Sequence, residues 1–201
     1  MDRRTLLMAG SASLLAGCAG RWEVAYEQGL NPAVTRGWTV GQVIATVPEF
    51  LTVSNDNSLA PNADIVWHGE PFGDRKEQVA AILKEAVTNA VAPLSGPRAV
   101  AISIQVLHFH GVTPVSTNRA PGAVHNIRFR IVAYDARSIE PLTPIEVIDA
   151  DLEANVGASA VTAALEGQTE RVRIVDHLTR VTEGWLGIGP DPRMSFVSYG
   201  R

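Results

Sequence analysis

The chain has 201 residues, 46% hydrophobic and 19% charged, with a formal net charge of −4. That length supports one domain with a proper core, and the mild acidity without any basic stripe argues against a nucleic-acid partner. A lone cysteine excludes an internal disulfide, so stability must come from burial.

Met1 to Gly17 divides into the parts of an export signal. Arg3 and Arg4 give a positive start, and Leu6, Leu7, Met8, Leu14 and Leu15 punctuate an apolar run. At about eleven residues that run is too short to span ~30 Å of hydrocarbon, and no later run reaches about 20. Ala16 and Gly17 place slim side chains just before Cys18. Leu15-Ala16-Gly17-Cys18 resembles the lipobox of bacterial lipoproteins. The resemblance implies a diacylglyceryl group on the Cys18 sulfur, cleavage before it and acylation of the new amino terminus. A thiolate is a suitable nucleophile for that alkylation, and acyl chains at ~0.8 kcal/mol per buried CH₂ would make the anchor effectively permanent. Ala19 follows the cysteine; under the enterobacterial sorting rule this implies the outer membrane rather than the inner. Asp2-Arg3-Arg4-Thr5-Leu6-Leu7 also resembles a twin-arginine signal, departing from it at Asp2 and Leu6, so Sec and Tat export both stay open. Cleavage before Cys18 leaves 184 residues with a formal charge of −5.

Residues 18–36 read as a lipidated tether, with Trp22 and Tyr26 placed either at the lipid headgroups or on the domain. Residues 37–187 read as a single α+β domain, and residues 188–201 as a C-terminal tail. Three short strands open the domain: Trp38 to Val47, Phe50 to Val53 and Ala63 to His68, separated by Pro48 and the turn residues from Asn55 to Asn62. Asp74 then caps a helix, with Glu77 three residues on. Val79, Ile82, Leu83, Ala86, Val87, Ala90 and Val91 give that helix one apolar face, and Pro93 stops it.

Ala99 to Val112 and Ala123 to Arg137 are the two longest strands. Pairing Val112 with Ala123 sets Ile102, Ile104 and Val106 opposite Ala133, Ile131 and Phe129, so the apolar sets coincide. The same register puts His110 opposite His125. Ile145 to Val156 follows as one strand, with Asp151 and Glu153 expected beside Arg130 and Arg128. Gly157 to Gly167 reads as loop or one short helical turn, and Gln168 to Leu186 as a second helix ended by Gly187. Hairpin-linked strands and two one-sided helices predict a two-layer α+β fold, a mainly antiparallel sheet with both helices on one face.

Candidate chemistry is sparse. His108, His110 and His125 fall at one end of the inner face in that register and suit zinc by residue type, but they lack a fourth ligand. The cluster therefore reads as structural, with no metal expected. Trp67 to Arg75 joins a strand to a helix with His68, Glu70 and Asp74 in reach of one another; its simpler role is a turn, a cap and a surface ion pair through Arg75. Arg128, Arg130, Arg171 and Arg173 suit an anion site by charge, although neighbouring carboxylates favour solvated ion pairs. There is no Gly-x-Ser-x-Gly, P-loop or Gly-x-Gly-x-x-Gly, so no catalytic residue and no cofactor are expected.

The lipobox, Ala63 to Pro71, Gly73-Asp74-Arg75 and Arg171 to Leu178 together resemble an uncharacterised family of alphaproteobacterial lipoproteins. The order of elements is also similar to small accessory lipoprotein domains of envelope transport machines, a likeness of architecture alone. The expectation is a lipid-anchored, periplasm-facing envelope protein acting as a non-enzymatic binding or scaffolding subunit for an envelope partner. The competing expectation is a lipid-anchored metal-binding protein or hydrolase using the histidines.

Overall fold

The computed structural model describes residues 29–195, so Cys18, its lipobox and residues 196–201 of the expected tail lie outside the described residues. The elements run α1 (Pro32–Thr35), β1 (Trp38–Thr46), β2 (Val53–Ser54), β3 (Ile65–Val66), α2 (Arg75–Val91), β4 (Arg98–His110), α3 (Pro114–Arg119), β5 (Ala123–Asp135), β6 (Glu146–Asp149), β7 (Leu152–Ala154), α4 (Ala158–Leu165), α5 (Glu170–Trp185) and a 3₁₀ turn at Pro192–Ser195. The α+β class is as expected. Seven strands form a mixed sheet, its longest ladder the antiparallel one between β4 and β5, and α2 and α5 pack against each other over its inner face.

The sheet differs from the expected run of hairpins on one side of β4. β1 and β3 both pair parallel with β4, end to end along the same edge: Trp38 to Thr46 lies beside 98–105, and Ile65–Val66 beside Phe109–His110. The reason is topological. The 17-residue α2 carries the chain back over the sheet, and a strand that follows a crossover helix runs parallel to its predecessor. On the other side, β5 pairs antiparallel with β6 and then with β7. The single strand expected over 145–156 is broken where the Asp151 carboxylate accepts from the Asn126 side chain (3.0 Å) and the Ile127 amide (3.2 Å). The break leaves Arg128 beside Asp149, at 3.1 Å, and Arg130 donating to Gln105, in place of the pairing with Asp151 and Glu153 along one continuous strand.

The core is the meeting of these two layers. Ile102, Ile104, Val106 and Phe109 of β4 and Ile127, Phe129 and Ile131 of β5 are fully buried against Ile82, Leu83, Val87, Ile174, Leu178 and Trp185. Each such side chain contributes about 1.5–3 kcal/mol by leaving water. Asp74 caps α2 as its sequence predicted, accepting from the amides of Lys76 (2.9 Å) and Glu77 (3.1 Å). Thr169 caps α5 by accepting from Val172, and Gly187 ends it at φ +70. A Cβ at Gly187 would lie 2.1 Å from the Leu30 carbonyl oxygen, so this helix stop requires glycine.

That contact shows where the expected tether ends. Residues 29–36 fold onto the C-terminal end of α5: Leu30 donates to the Trp185 carbonyl (2.7 Å), and buried Thr35 donates to that of Leu186 (2.8 Å). The described part of the tail also packs back there, with Arg193 buried and paired to Asp191. Gly157 to Gly167, expected to be loop or one short helical turn, holds α4, two helical turns with no buried residue.

Candidate functional site

The β4–β5 register holds as read from Ile102 to Val106 and then shifts at Leu107. Beyond this bulge His108 pairs with Arg128, Phe109 with Ile127 and His110 with Asn126. One extra residue reverses the faces, so Phe109 enters the core while His108 and His110 turn to the outer side. Their rings lie 4.1 Å apart there, and His110 Nε2 contacts the Ala63 carbonyl. His125 remains on the inner face, fully buried, and its Nδ1 accepts from the Val112 amide at 3.2 Å. The three imidazoles that the unbulged register gathered are thus on two faces of the sheet, and among the described residues no group of three metal-ligating side chains exists.

The strand–helix junction is a scaffold. Trp67 donates to Glu70 (2.8 Å) and stacks edge-to-face with Phe109. Arg171 bridges Glu70 at 3.2 Å and Glu85 at 2.6 Å, joining α5 to the junction and to α2. Arg75 is not the surface ion-pair partner expected: it is buried, and its guanidinium donates to Asn55, Gln78 and two backbone carbonyls. Nor do the four candidate anion-site arginines converge. Arg128 and Arg130 sit on the outer sheet face, Arg171 is held by two glutamates, and Arg173 donates to the Glu153 carbonyl.

One of these, Arg173, lines a cleft with a volume of about 590 Å³. Its walls are the junction (His68 to Pro71), the start of α3, the inner side of α4 and the N-terminal end of α5. Three ionisable groups define its chemistry. Burial, aided by the nearby Arg75 charge, lowers the pKa of His68, and its buried Nε2 has no hydrogen-bond partner. Burial pushes the Glu170 carboxyl up to about 7, against the pull of Arg173. Arg173 itself is a cation whose bond to Glu153 reaches only a neutral carbonyl. Behind this wall, burial with the Arg173 charge lowers His125 from 6.5 to about 3. Burial with the Arg180 charge lowers His177 from 6.5 to about 4, against the pull of the Ala150 and Asp151 carbonyls. Both rings leave Nε2 without a partner. Glu170 and His177 escaped the sequence reading; their signal is the i, i+3, i+7 spacing of Glu170, Arg173 and His177, which puts a polar line on a helix whose neighbouring stripe is core.

Among solved structures, the fold is similar to a candidate lipoprotein from Caulobacter crescentus CB15 (15% identity, 54% of this chain and 83% of that one, TM-score 0.31). It is also similar to a DUF330 protein from Xanthomonas campestris (13%, 74% and 81%, TM-score 0.44) and to a Chlamydia trachomatis protein (11%, 72% and 97%, TM-score 0.32). No curated protein matches. Residues 38–201 match the model of a family of unknown function, DUF6778, and the chain belongs to that family.

Proposed function

We propose that this protein is an envelope lipoprotein, held by acylated Cys18 and working as a non-enzymatic binding or scaffolding subunit for another envelope component. The observation that carries the reading is Leu15-Ala16-Gly17-Cys18, set behind an apolar run that opens with Arg3 and Arg4. Among the described residues no helix is long and apolar enough to cross a membrane. The ten residues 19–28 can extend to at most about 36 Å, which keeps the folded part close to the bilayer surface. Alanine at position 19 favours the outer membrane.

A binding role fits the cleft, whose volume lies in the ordinary range for ligand sites. The histidines that would serve a metal-dependent or hydrolytic reading stand on opposite faces of the sheet. Cells fed a clickable fatty acid should label the wild-type protein and leave Cys18→Ala unlabelled and released from membranes. Equal labelling of the two would end this reading. Affinity isolation from crosslinked envelopes then identifies the partner, and density fractionation assigns the membrane.

A further inference from the structure

The helix α4 is an anomaly. It has eight residues, Ala158 to Leu165, none of them buried, and its start at Gly157 has no side-chain cap. Val161 is 61% exposed and Leu165 85% exposed. A helix this short is marginal by itself, and helices in proteins owe most of their stability to burying one face. Here the face that would be buried, Ala160, Ala163 and Ala164, lines the cleft instead of packing on the core. Gly157 and Gly167 bracket the helix at φ +57 and +77, each with open space where a Cβ would stand. The helix is therefore a wall attached at two glycine corners, with its apolar side toward a space of about 590 Å³.

Opposite that wall stand one arginine, Arg173, and two glutamates, Glu170 and Glu70, the latter held by Arg171. Arg173 donates to the Glu153 backbone carbonyl, which offers no counter-charge. Arg171, two residues earlier, is by contrast paired to two carboxylates. Glu170 is a weak counter-ion for Arg173, because its burial favours the neutral acid. Pro71, Val112 and Pro114 complete the apolar lining.

We propose that this cleft binds a single-chain amphiphile carrying one carboxylate, with the carboxylate on Arg173 and the apolar body against α4. A guanidinium and a carboxylate are geometrically matched partners, and their hydrogen bonds are roughly twice as strong as neutral ones. The apolar body removes the Ala160–Ala163–Ala164 face from water and supplies the packing that α4 otherwise lacks. The space is that of an ordinary small-molecule site and is large enough for a medium-length alkyl carboxylate. Nothing in this requires Cys18 to be acylated, so the site and the anchor stand or fall separately.

The test uses the full-length chain carrying Cys18→Ala, so that its own acyl groups cannot compete. A dansyl-labelled undecanoate serves as the fluorescent probe, displaced by dodecanoate or by dodecanol. Dodecanoate should displace it saturably, and dodecanol should need at least about tenfold more. Arg173→Gln should bring dodecanoate down to the dodecanol level. Ala163→Trp, at a half-exposed position, should fill the cleft and abolish displacement by both while leaving the melting temperature unchanged. If Arg173→Gln does not fold, the headgroup comparison and Ala163→Trp decide the matter. No saturable binding, equal potency of acid and alcohol, or undiminished binding in Ala163→Trp would each overturn the proposal.

Discussion

Three titratable residues, half-buried Glu170 and buried His125 and His177, make opposed contributions to stability. The unfolded chain protonates the two histidines near 6.5, whereas the folded protein keeps them neutral to about 3 and about 4. Their stabilisation is complete above 6.5 and falls as the pH drops below it. Glu170 works the other way: folding raises it from 4.5 to about 7, so its contribution is complete below 4.5 and is lost as pH rises through 7. In the window where both operate, the unfolded state holds two extra protons and the folded state one. From these three groups, stability should rise with pH by about 1.4 kcal/mol per unit. Glu170→Gln removes the opposing proton, so between about pH 5 and 6 its slope should exceed that of the wild type by about the same amount. Denaturant titrations at several pH values measure this directly, and identical slopes would show that Glu170 is not held protonated. Little of this trio was visible beforehand. The acidic and basic residues could be counted, but which of them lose water depends on what packs over them.

At the scale of elements, the bulge at Leu107 decides more than any single side chain, because it sends Phe109 rather than His108 into the core. Phe109→Ala should therefore cost about 3–5 kcal/mol, as a buried ring does, while His108→Ala should cost a small fraction of that. The unbulged register predicts the reverse order, so denaturant midpoints of the two variants separate them. The helices were legible in the sequence: Asp74 with its apolar stripe gave α2, and the spacing of Leu178, Val181 and Trp185 gave α5, because a helix's period and its cap lie within a few neighbouring residues. The central hairpin was legible from Ile102 to Val106 for the same reason. The bulge has a mark that the unbulged register passes over: the apolar positions run Ile102, Ile104 and Val106 and then change phase to Leu107 and Phe109, leaving His108 and His110 at the polar positions.

For the whole molecule, the folded unit reaches upstream of residue 38, where the family match begins. Leu30 and Thr35 are tied by hydrogen bonds to the carbonyls of Trp185 and Leu186, which fastens the chain's entry to the end of its last long helix. A protein begun at Trp38 should thus be less stable than one begun at Gly29, by about 1–3 kcal/mol for the two bonds. Equal denaturation midpoints would show that the segment only rests on the surface. The sequence by itself determined the α+β class, both long helices, the Asp74 cap and the central register up to Val106, and the export-signal and lipobox reading rests on it alone. All of these are written in local spacing. Only the tertiary structure decided that β1 and β3 share an edge of β4 in parallel, that the histidines part across the sheet, and that a cleft opens between α4 and α5. Each of these depends on which distant segments meet once the crossover helix has turned the chain back, and a local period carries no information about that meeting.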